Sequence, residues 1–418
     1  MARRRGDAHM GRTTPGGASY AELAERFAPV FDRIAEGALE RELGRTLPFE
    51  QVEWLKEAGF GRLRVPVAYG GFGASVETLV RLLIDLAAAD SSVAHLLRSH
   101  FAFVETISLQ DDAFRARWFG RVVDGVIFGN AATERSGNAL GTVATRLVPA
   151  DDRGYLLTGE KYYTTGTIFA DYVAVMASPE GGSSRLYAIA PTRHAGVEIR
   201  DDWDGFGQQM TGTGTALFRE VPIPAEDTVP RTESTTHEPA FLQLMLLSVL
   251  AGIGKAVVRD ASSLVAKRTR TFSTGSGQLF REDPLILNLV GQLAAKSFAA
   301  ESSVLAAARE LDDALALGPD ASAEDRYARG AVAVDLAQVA VPPLVIDAAQ
   351  QLFDTAGASA VSRGKALDRH WRNARTVATH NPVAFKARGL GDWFVNGVSP
   401  VALHSIGEAT AGVPASAG

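Results

Sequence analysis

The chemistry open to this chain is set by eight histidines, no cysteine, and a scatter of threonines and arginines. Without thiols, disulfides, thiolate metal sites and thiol nucleophiles are excluded together. What remains is proton transfer on imidazole, hydrogen bonding from hydroxyls and anion binding by guanidinium. His380 stands immediately before Asn381-Pro382, where a helix must kink or end. It can serve as a proton donor or acceptor there, or simply satisfy the last carbonyls of the helix. His95 and His100 are five residues apart. On one helix that spacing separates them by about 140°, so they cannot both face one site. Thr164 and Thr165 are adjacent hydroxyls in a strand-like segment, where threonine is common for packing alone. Asn130 and Thr133 flank a turn that could reach the same place, and Trp203 is either a pocket wall or a core residue. Arg268 and Arg270 form one basic pair, Arg372 and Arg375 another, each suited to phosphate or to a solvated helix face. Among charged residues outside these groups, nothing singles out Glu105, Glu134 or Asp392 for acid–base work.

Other signatures are missing. Gly252-Ile253-Gly254 is too short for a dinucleotide fingerprint and lies in a helical pattern. There is no phosphate-binding Walker loop, no His-Glu-x-x-His pair and no Gly-x-Ser-x-Gly elbow. The net charge of −6 speaks against a broad nucleic-acid surface. The first 18 residues, with Arg3, Arg4 and Arg5, read as a loose tail with no apolar run behind them, hence no secretory signal. The longest apolar stretch, near Leu246 to Val258, is interrupted by Lys255 and reads as too short for a membrane span. A cytoplasmic protein without membrane or nucleic-acid partners is expected.

The elements that must position these residues fall into three blocks. Leu23, Phe27, Val30, Phe31 and Ile34 share one helical face. A second helix is expected after Thr46 as its N-cap, ending at Gly59, and a third over about Ser75 to Ala89. From about Val126 to Val229 alternation and β-branched residues dominate, with a hairpin connection at Asp151-Asp152-Arg153-Gly154. Six short strands in that span predict a small barrel or sandwich. Beyond Pro239 the helical period returns, and breaks near Gly275, Gly318-Pro319 and Gly357 predict four long helices in a bundle. The expected class is α+β, with a tail at 1–18, a helical domain at 19–125, a β-domain at 126–236 and a four-helix bundle at 237–418.

Four blocks in order narrow this layout. Val65-Pro66-Val67-Ala68-Tyr69-Gly70-Gly71-Phe72-Gly73 resembles the glycine turn of acyl-CoA dehydrogenases. Ala132-Thr133-Glu134-Arg135-Ser136-Gly137-Asn138 is similar to that family's loop at the start of the β-domain. Gly159-Glu160-Lys161 with Tyr163-Thr164-Thr165-Gly166 resembles its flavin-contacting strand, and Gly207-Gln208-Gln209 with Val221-Pro222-Ile223-Pro224 its exit from the β-domain. The resemblance implies the acyl-CoA dehydrogenase fold: N-terminal helices, a central β-barrel and a C-terminal four-helix bundle.

Two departures point within the family. The segment Arg369 to Pro382 has no carboxylate where a dehydrogenase carries its glutamate base, and Tyr163-Thr164-Thr165-Gly166 is one residue shorter than usual. Both are similar to the two-component monooxygenases of the dibenzothiophene and sulfone branch. That resemblance implies reduced FMN, delivered by an NAD(P)H-dependent flavin reductase, reacting with O2 at C4a to form a hydroperoxide that oxygenates a small substrate, with sulfur the favoured atom. It implies catalytic roles for His380, Thr164 and His100, and flavin contacts from Asn130, Thr133, Thr164, Thr165, Arg268, Arg270 and Arg375. His95 and Trp203 become pocket residues, and a homotetramer is expected. By the same resemblance Val377 occupies the place of a second histidine in dibenzothiophene monooxygenase, which speaks against a close match in substrate. The alternatives are an acyl-CoA dehydrogenase with FAD and a displaced base, an amine or amino-sugar N-oxygenase, and a non-catalytic scaffold.

Overall fold

The computed structural model describes residues 16–135, 143–151, 154–180, 185–231, 236–276, 279–317 and 322–400. The expected tail, apart from its last residues, and Ser136, Gly137 and Asn138 of the loop motif lie outside them. Seven helices open the fold: α1 (Tyr20–Glu36), α2 (Ala38–Gly44), α3 (Phe49–Ala58), α4 (Val76–Ala89), α5 (Ser91–Leu96), α6 (Arg98–Ser108) and α7 (Asp112–Val123). Ser19 and Glu22 form a capping box on α1, and its apolar stripe Leu23, Phe27, Phe31 and Ile34 is buried. Helix α3 starts at Phe49 with Pro48 at its N-cap, two residues later than Thr46 would place it. Gly59, in the left-handed region at φ 80°, ends it.

Eight strands follow: β1 (Phe128–Ala131), β2 (Arg146–Asp151), β3 (Gly154–Lys161), β4 (Tyr172–Pro179), β5 (Leu186–Pro191), β6 (Val197–Ile199), β7 (Ala216–Pro224) and β8 (Thr228–Pro230). They form one mixed sheet in the order β6-β7-β3-β2-β4-β5-β8, with β1 added to β4 in parallel. The expected barrel is corrected here: the sheet is open. Its two ends, β6 and β8, are three residues long and do not pair with each other. Near the middle, β2 meets β4 at only two positions, Arg146↔Ser178 and Leu147↔Pro179, because β1 takes the rest of that edge. Strand β4 shows why the sheet is covered on both sides. Val173, Val175 and Ala177 enter the sheet's own core, while the intervening Ala174 packs with Phe103, Trp118 and Phe128 beneath the helical domain.

The C-terminal part has three long helices, α8 (Glu238–Lys267), α9 (Pro284–Ala316) and α10 (Ala323–Gln351), and two short ones, α11 (Asp368–Ala378) and α12 (Val383–Asn396). The expected fourth long helix is divided. Gly357 at φ 58° and a run of 3-10 turns precede α11, and Pro382, without an N–H to continue the ladder, separates α11 from α12. Helix α8 is long and apolar enough to cross a membrane, as is Tyr327–Thr355, contrary to the shorter span read from sequence. Most of its apolar window is buried within the protein, against α4, α9 and α10, so it is the central core helix of this part.

One glycine joins the first block to the sheet. Gly166 sits at φ 80° after β3, and a Cβ there would lie 2.3 Å from the carbonyl oxygen of Leu96. Gly166→Ala is therefore expected to cost at least about 2 kcal/mol from strain and overlap together. A urea midpoint within error of the parent protein's would refute that contact.

Candidate functional site

The site lies where α5, α6, the turn after β3, the loop before β7 and the α11–α12 junction converge. The turn after β3 is set by Tyr163, a non-glycine residue at φ 60° with an exposed ring. Thr164 is fully buried and its hydroxyl donates to Gly214 O at 2.9 Å. Its proton is thereby committed to the backbone. Thr165 is different. It is only half-buried, its hydroxyl shares a 2.8 Å hydrogen bond with Thr213, and Thr213 shares one of 2.7 Å with Thr211. Of the two adjacent threonines, Thr165 presents the accessible hydroxyl. The Asn130 amide and the Thr133 hydroxyl have no hydrogen-bond partner among the described residues. The loop carrying Thr133 is anchored by Glu134, which accepts from the fully buried Lys161 at 2.8 Å and from the N–H groups of Ala144 and Thr145. These contacts hold the Glu134 carboxyl down at about 2. Glu134 is thus an anchor.

On the helical side, His95 is buried and its Nδ1 lies 3.1 Å from Gln208 Oε1. Gln208 Nε2 donates to Ser91 Oγ at 3.2 Å, so its Oε1 faces the ring and Nδ1 carries the proton. His95 Nε2 is left as an acceptor without a partner among the described residues. Gln208 N–H donates to Asn373 Oδ1 at 2.6 Å, which ties the network to α11. Gly207 permits this approach, since a Cβ there would meet Arg372 O at 2.2 Å. Burial and the nearby Arg98 charge lower the His95 pKa to about 4.

His380 occupies the junction after α11, with its N–H on Val377 O at 3.2 Å. It is an exposed residue on the wall of a crevice, and its ring has no hydrogen bond among the described residues. Desolvation first, then the charges of Arg98 and His95, hold it well below the usual histidine range. At neutral pH both His95 and His380 are therefore uncharged. His380 lines a crevice with Gln243, Gln338 and Asn381 against Leu246, Leu247 and Leu250. Asn381 and Gln338 both donate to Gln243 Oε1. No carboxylate lines this crevice among the described residues.

The other expected residues are placed as follows. His100 does not face the site. It is fully buried, Nε2 donates to Gly61 O at 2.8 Å, and Nδ1 accepts from Phe128 N–H at 3.3 Å. Both ring nitrogens are spent on joining the helical domain to β1, and His95 takes the position anticipated for His100. Trp203 donates from Nε1 to Gly207 O at 3.0 Å and meets Tyr163 edge-on at 6.0 Å, closing an aromatic row with Tyr162. Arg375 is exposed on α11, its guanidinium without a partner among the described residues. Arg268 caps α8 and packs on Phe272 and Phe280, with Arg270 exposed beside it. At 1.5 Å per residue, Arg268 lies roughly 27 Å further along α8 than Leu250, so one protomer does not bring it to the crevice. Glu105 is buried between Arg64 at 2.7 Å and His237 at 2.7 Å, a structural network. Arg98, Gln243 and Asn373 were given no role from the sequence, and Gln208 was read only as part of the Gly207-Gln208-Gln209 motif. Apart from that motif, the one signal was the place of Arg98, three residues after His95.

Two family models match the chain: acyl-CoA dehydrogenase, N-terminal domain, over residues 20–126, and acyl-CoA dehydrogenase, C-terminal domain, over residues 244–385. The chain is 29% identical over 395 residues to a probable FMNH2-dependent monooxygenase, SfnC, of Pseudomonas putida, covering 92% of this chain and 96% of that one. It is 26% identical over 383 residues to dibenzothiophene monooxygenase of Rhodococcus erythropolis, covering 87% and 91%. Among solved structures, TdsC of Paenibacillus sp. A11-2 with FMN and indole superposes with a TM-score of 0.83 at 26% identity, covering 91% of this chain and 99% of that one. The methanesulfinate monooxygenase MsuC of Pseudomonas fluorescens does so with a TM-score of 0.83 at 27% identity, covering 91% and 98%. The chain belongs to the acyl-CoA dehydrogenase superfamily, closely related within it to the FMN-dependent dibenzothiophene and sulfinate monooxygenases.

Proposed function

We propose that this protein is a flavin-dependent monooxygenase that takes reduced FMN from a separate NAD(P)H-dependent flavin reductase and oxygenates a small organic molecule. The observation that carries the reading is the crevice at His380, which no carboxylate lines among the described residues, with the buried, uncharged His95 nearby. A dehydrogenase of this fold needs a carboxylate base there. An oxygenase needs neutral donors and acceptors in a shielded place. The bound FMN of TdsC favours FMN over FAD.

The residues fit a flavin. Asn130 and Thr133 hold unused polar atoms, Thr165 heads a chain of hydroxyls, and the Tyr163 ring stands exposed beside them. When bound, reduced FMN supplies two-electron reduction of O2, one oxygen atom passing to substrate and the other leaving as water. His380 holds a proton-accepting or proton-donating nitrogen over the cleft, and His95 Nε2 adds a second acceptor whose orientation Gln208 fixes. Leu246, Leu247 and Leu250 keep water from that wall. We further assign a cytoplasmic location and the three-domain division 19–125, 126–236 and 237–418. A homotetramer is supported by the exposed Leu285 and Phe298 on α9 and Phe385, Phe394 and Val395 on α12, apolar surface that an isolated monomer rarely shows.

The test is rapid mixing of the protein, loaded with anaerobically reduced FMN, with O2. A transient near-ultraviolet absorbance preceding the oxidised flavin spectrum is expected. Direct reoxidation, with bleaching of bound FAD by acyl-CoA thioesters, would reject the reading. In the same assay Thr165→Val is expected to shorten the transient about tenfold, with Thr164→Val affecting stability more than lifetime. The opposite ranking would return the role to Thr164.

A further inference from the structure

Arg98 is the one chemically conspicuous group at this site that the oxygenase reading does not use, and the inference drawn from it rests on that reading of the cleft. It opens α6, three residues after His95. Its side chain makes a single hydrogen bond to the protein, from Nε to Leu242 O at 3.1 Å, and no Asp or Glu among the described residues stands within ion-pair distance. Three other arginines set into the fold are neutralised, Arg41 by Asp90 at 2.9 Å, Arg64 by Glu105 at 2.7 Å and Arg372 by Glu42 at 2.8 Å, while the part-buried Arg62, Arg121 and Arg268 lie over the aromatic rings of Phe72, Trp118 and Phe280. Arg98 is part-buried with neither kind of partner among the described residues, and burial lowers its pKa to about 10. Its contact residue Leu242 is followed by Gln243, which lines the His380 crevice. The Arg98 charge is felt at both His95 and His380. Arg98 therefore sets a positive charge close to both imidazoles, near the crevice where His380 meets the neutral Gln243, Gln338 and Asn381. A desolvated cation without a counter-ion is unfavourable in a folded protein unless a ligand supplies the negative charge.

We propose that the substrate is a small organic anion, its sulfinate, sulfonate or carboxylate oxygens bound by the free Nη groups of Arg98. A guanidinium offers such oxyanions two parallel N–H donors in one plane. Binding there places the anion's organic part toward His95 and His380. A neutral sulfur heterocycle would leave Arg98 uncompensated.

Calorimetric titration of the flavin-free protein tests this with methanesulfinate, benzenesulfinate, ethanesulfonate, propionate and benzoate, set against the neutral dimethyl sulfone and methyl phenyl sulfone. At least one anion is expected to bind more than tenfold tighter than its neutral counterpart. Arg98→Met is expected to weaken that anion roughly 10- to 100-fold without moving the sulfones, and Arg98→Lys to recover part of the loss. Thermal melting of both variants separates a folding defect from a binding one. Equal affinity for sulfones and anions, or no anion bound below about 10 mM, overturns the proposal. So does an Arg98→Met variant that loses affinity for FMN but not for riboflavin, which would assign Arg98 to the flavin phosphate. The titration uses neither flavin nor O2, so a failed oxygenase assay leaves its result standing. A failed titration in turn leaves the oxygenase reading intact with a neutral substrate.

Discussion

His380→Ala is expected to reduce oxygenated product by about 10²-fold or more while O2 consumption by the reduced flavin continues, the difference appearing as hydrogen peroxide. The ring stands free in the cleft, with no hydrogen bond among the described residues, so alanine removes a functional nitrogen without breaking a structural contact. The neighbouring Asn381 keeps its bond to Gln243, and Pro382 still separates α11 from α12. Melting temperature should therefore barely move. His380→Gln, which retains a donor at similar reach, should recover part of the coupling. The measurement is the ratio of product to hydrogen peroxide at fixed reduced FMN. An unchanged ratio in His380→Ala would remove this residue from the mechanism and leave His95 as the sole histidine at the site.

How far the sequence revealed this arrangement depends on the range of the interaction. Local signals were readable: the stripe of Leu23, Phe27, Phe31 and Ile34, the helix from about Ser75 to Ala89, the helix stop before Asn381-Pro382, and the strand-rich stretch from about Val126 to Val229. Closure of the sheet was not, because strand composition is the same in an open sheet and a barrel. What opens it is the shortness of β6 and β8 and the diversion of β4's edge to β1, both set by tertiary pairing. The choice between His95 and His100 was equally hidden. Spacing separates the two rings but does not say which meets Gly61 and Phe128 and which meets Gln208. For the same reason Thr164 and Thr165 could not be ranked. Their difference is one buried carbonyl, Gly214 O, that accepts from one and not the other. That Arg98 has no ion pair among the described residues is legible only in three dimensions.

Acid is expected to destabilise the protein earlier than carboxylate titration alone would. His95 and His100 both have folded pKa values lowered to about 4, chiefly by burial, against about 6.5 when unfolded. Between those values the unfolded chain binds more protons than the folded one, so stability falls as pH falls. Their contribution is complete above about pH 6.5 and is lost progressively towards pH 4. The structural reason is plainest at His100, whose Nδ1 accepts from Phe128 N–H. Protonation would set a donor against a donor in a fully buried place. Each histidine then contributes a few kcal/mol to the loss, a large share of an ordinary folding free energy of about 5–15 kcal/mol. The carboxylates Glu105 and Glu134, held at about 2, act in a lower window, below roughly pH 4.5, so the two sources separate by pH. Urea denaturation at intervals from pH 7.5 to pH 4.5 should show the midpoint falling from about pH 6.5 downward. His100→Gln, already destabilised at neutral pH by the lost contacts, should show a shallower decline. A midpoint that stays flat to pH 5 would mean that these imidazoles are protonated in the folded state, and with them the claim that His95 enters the site uncharged would fall.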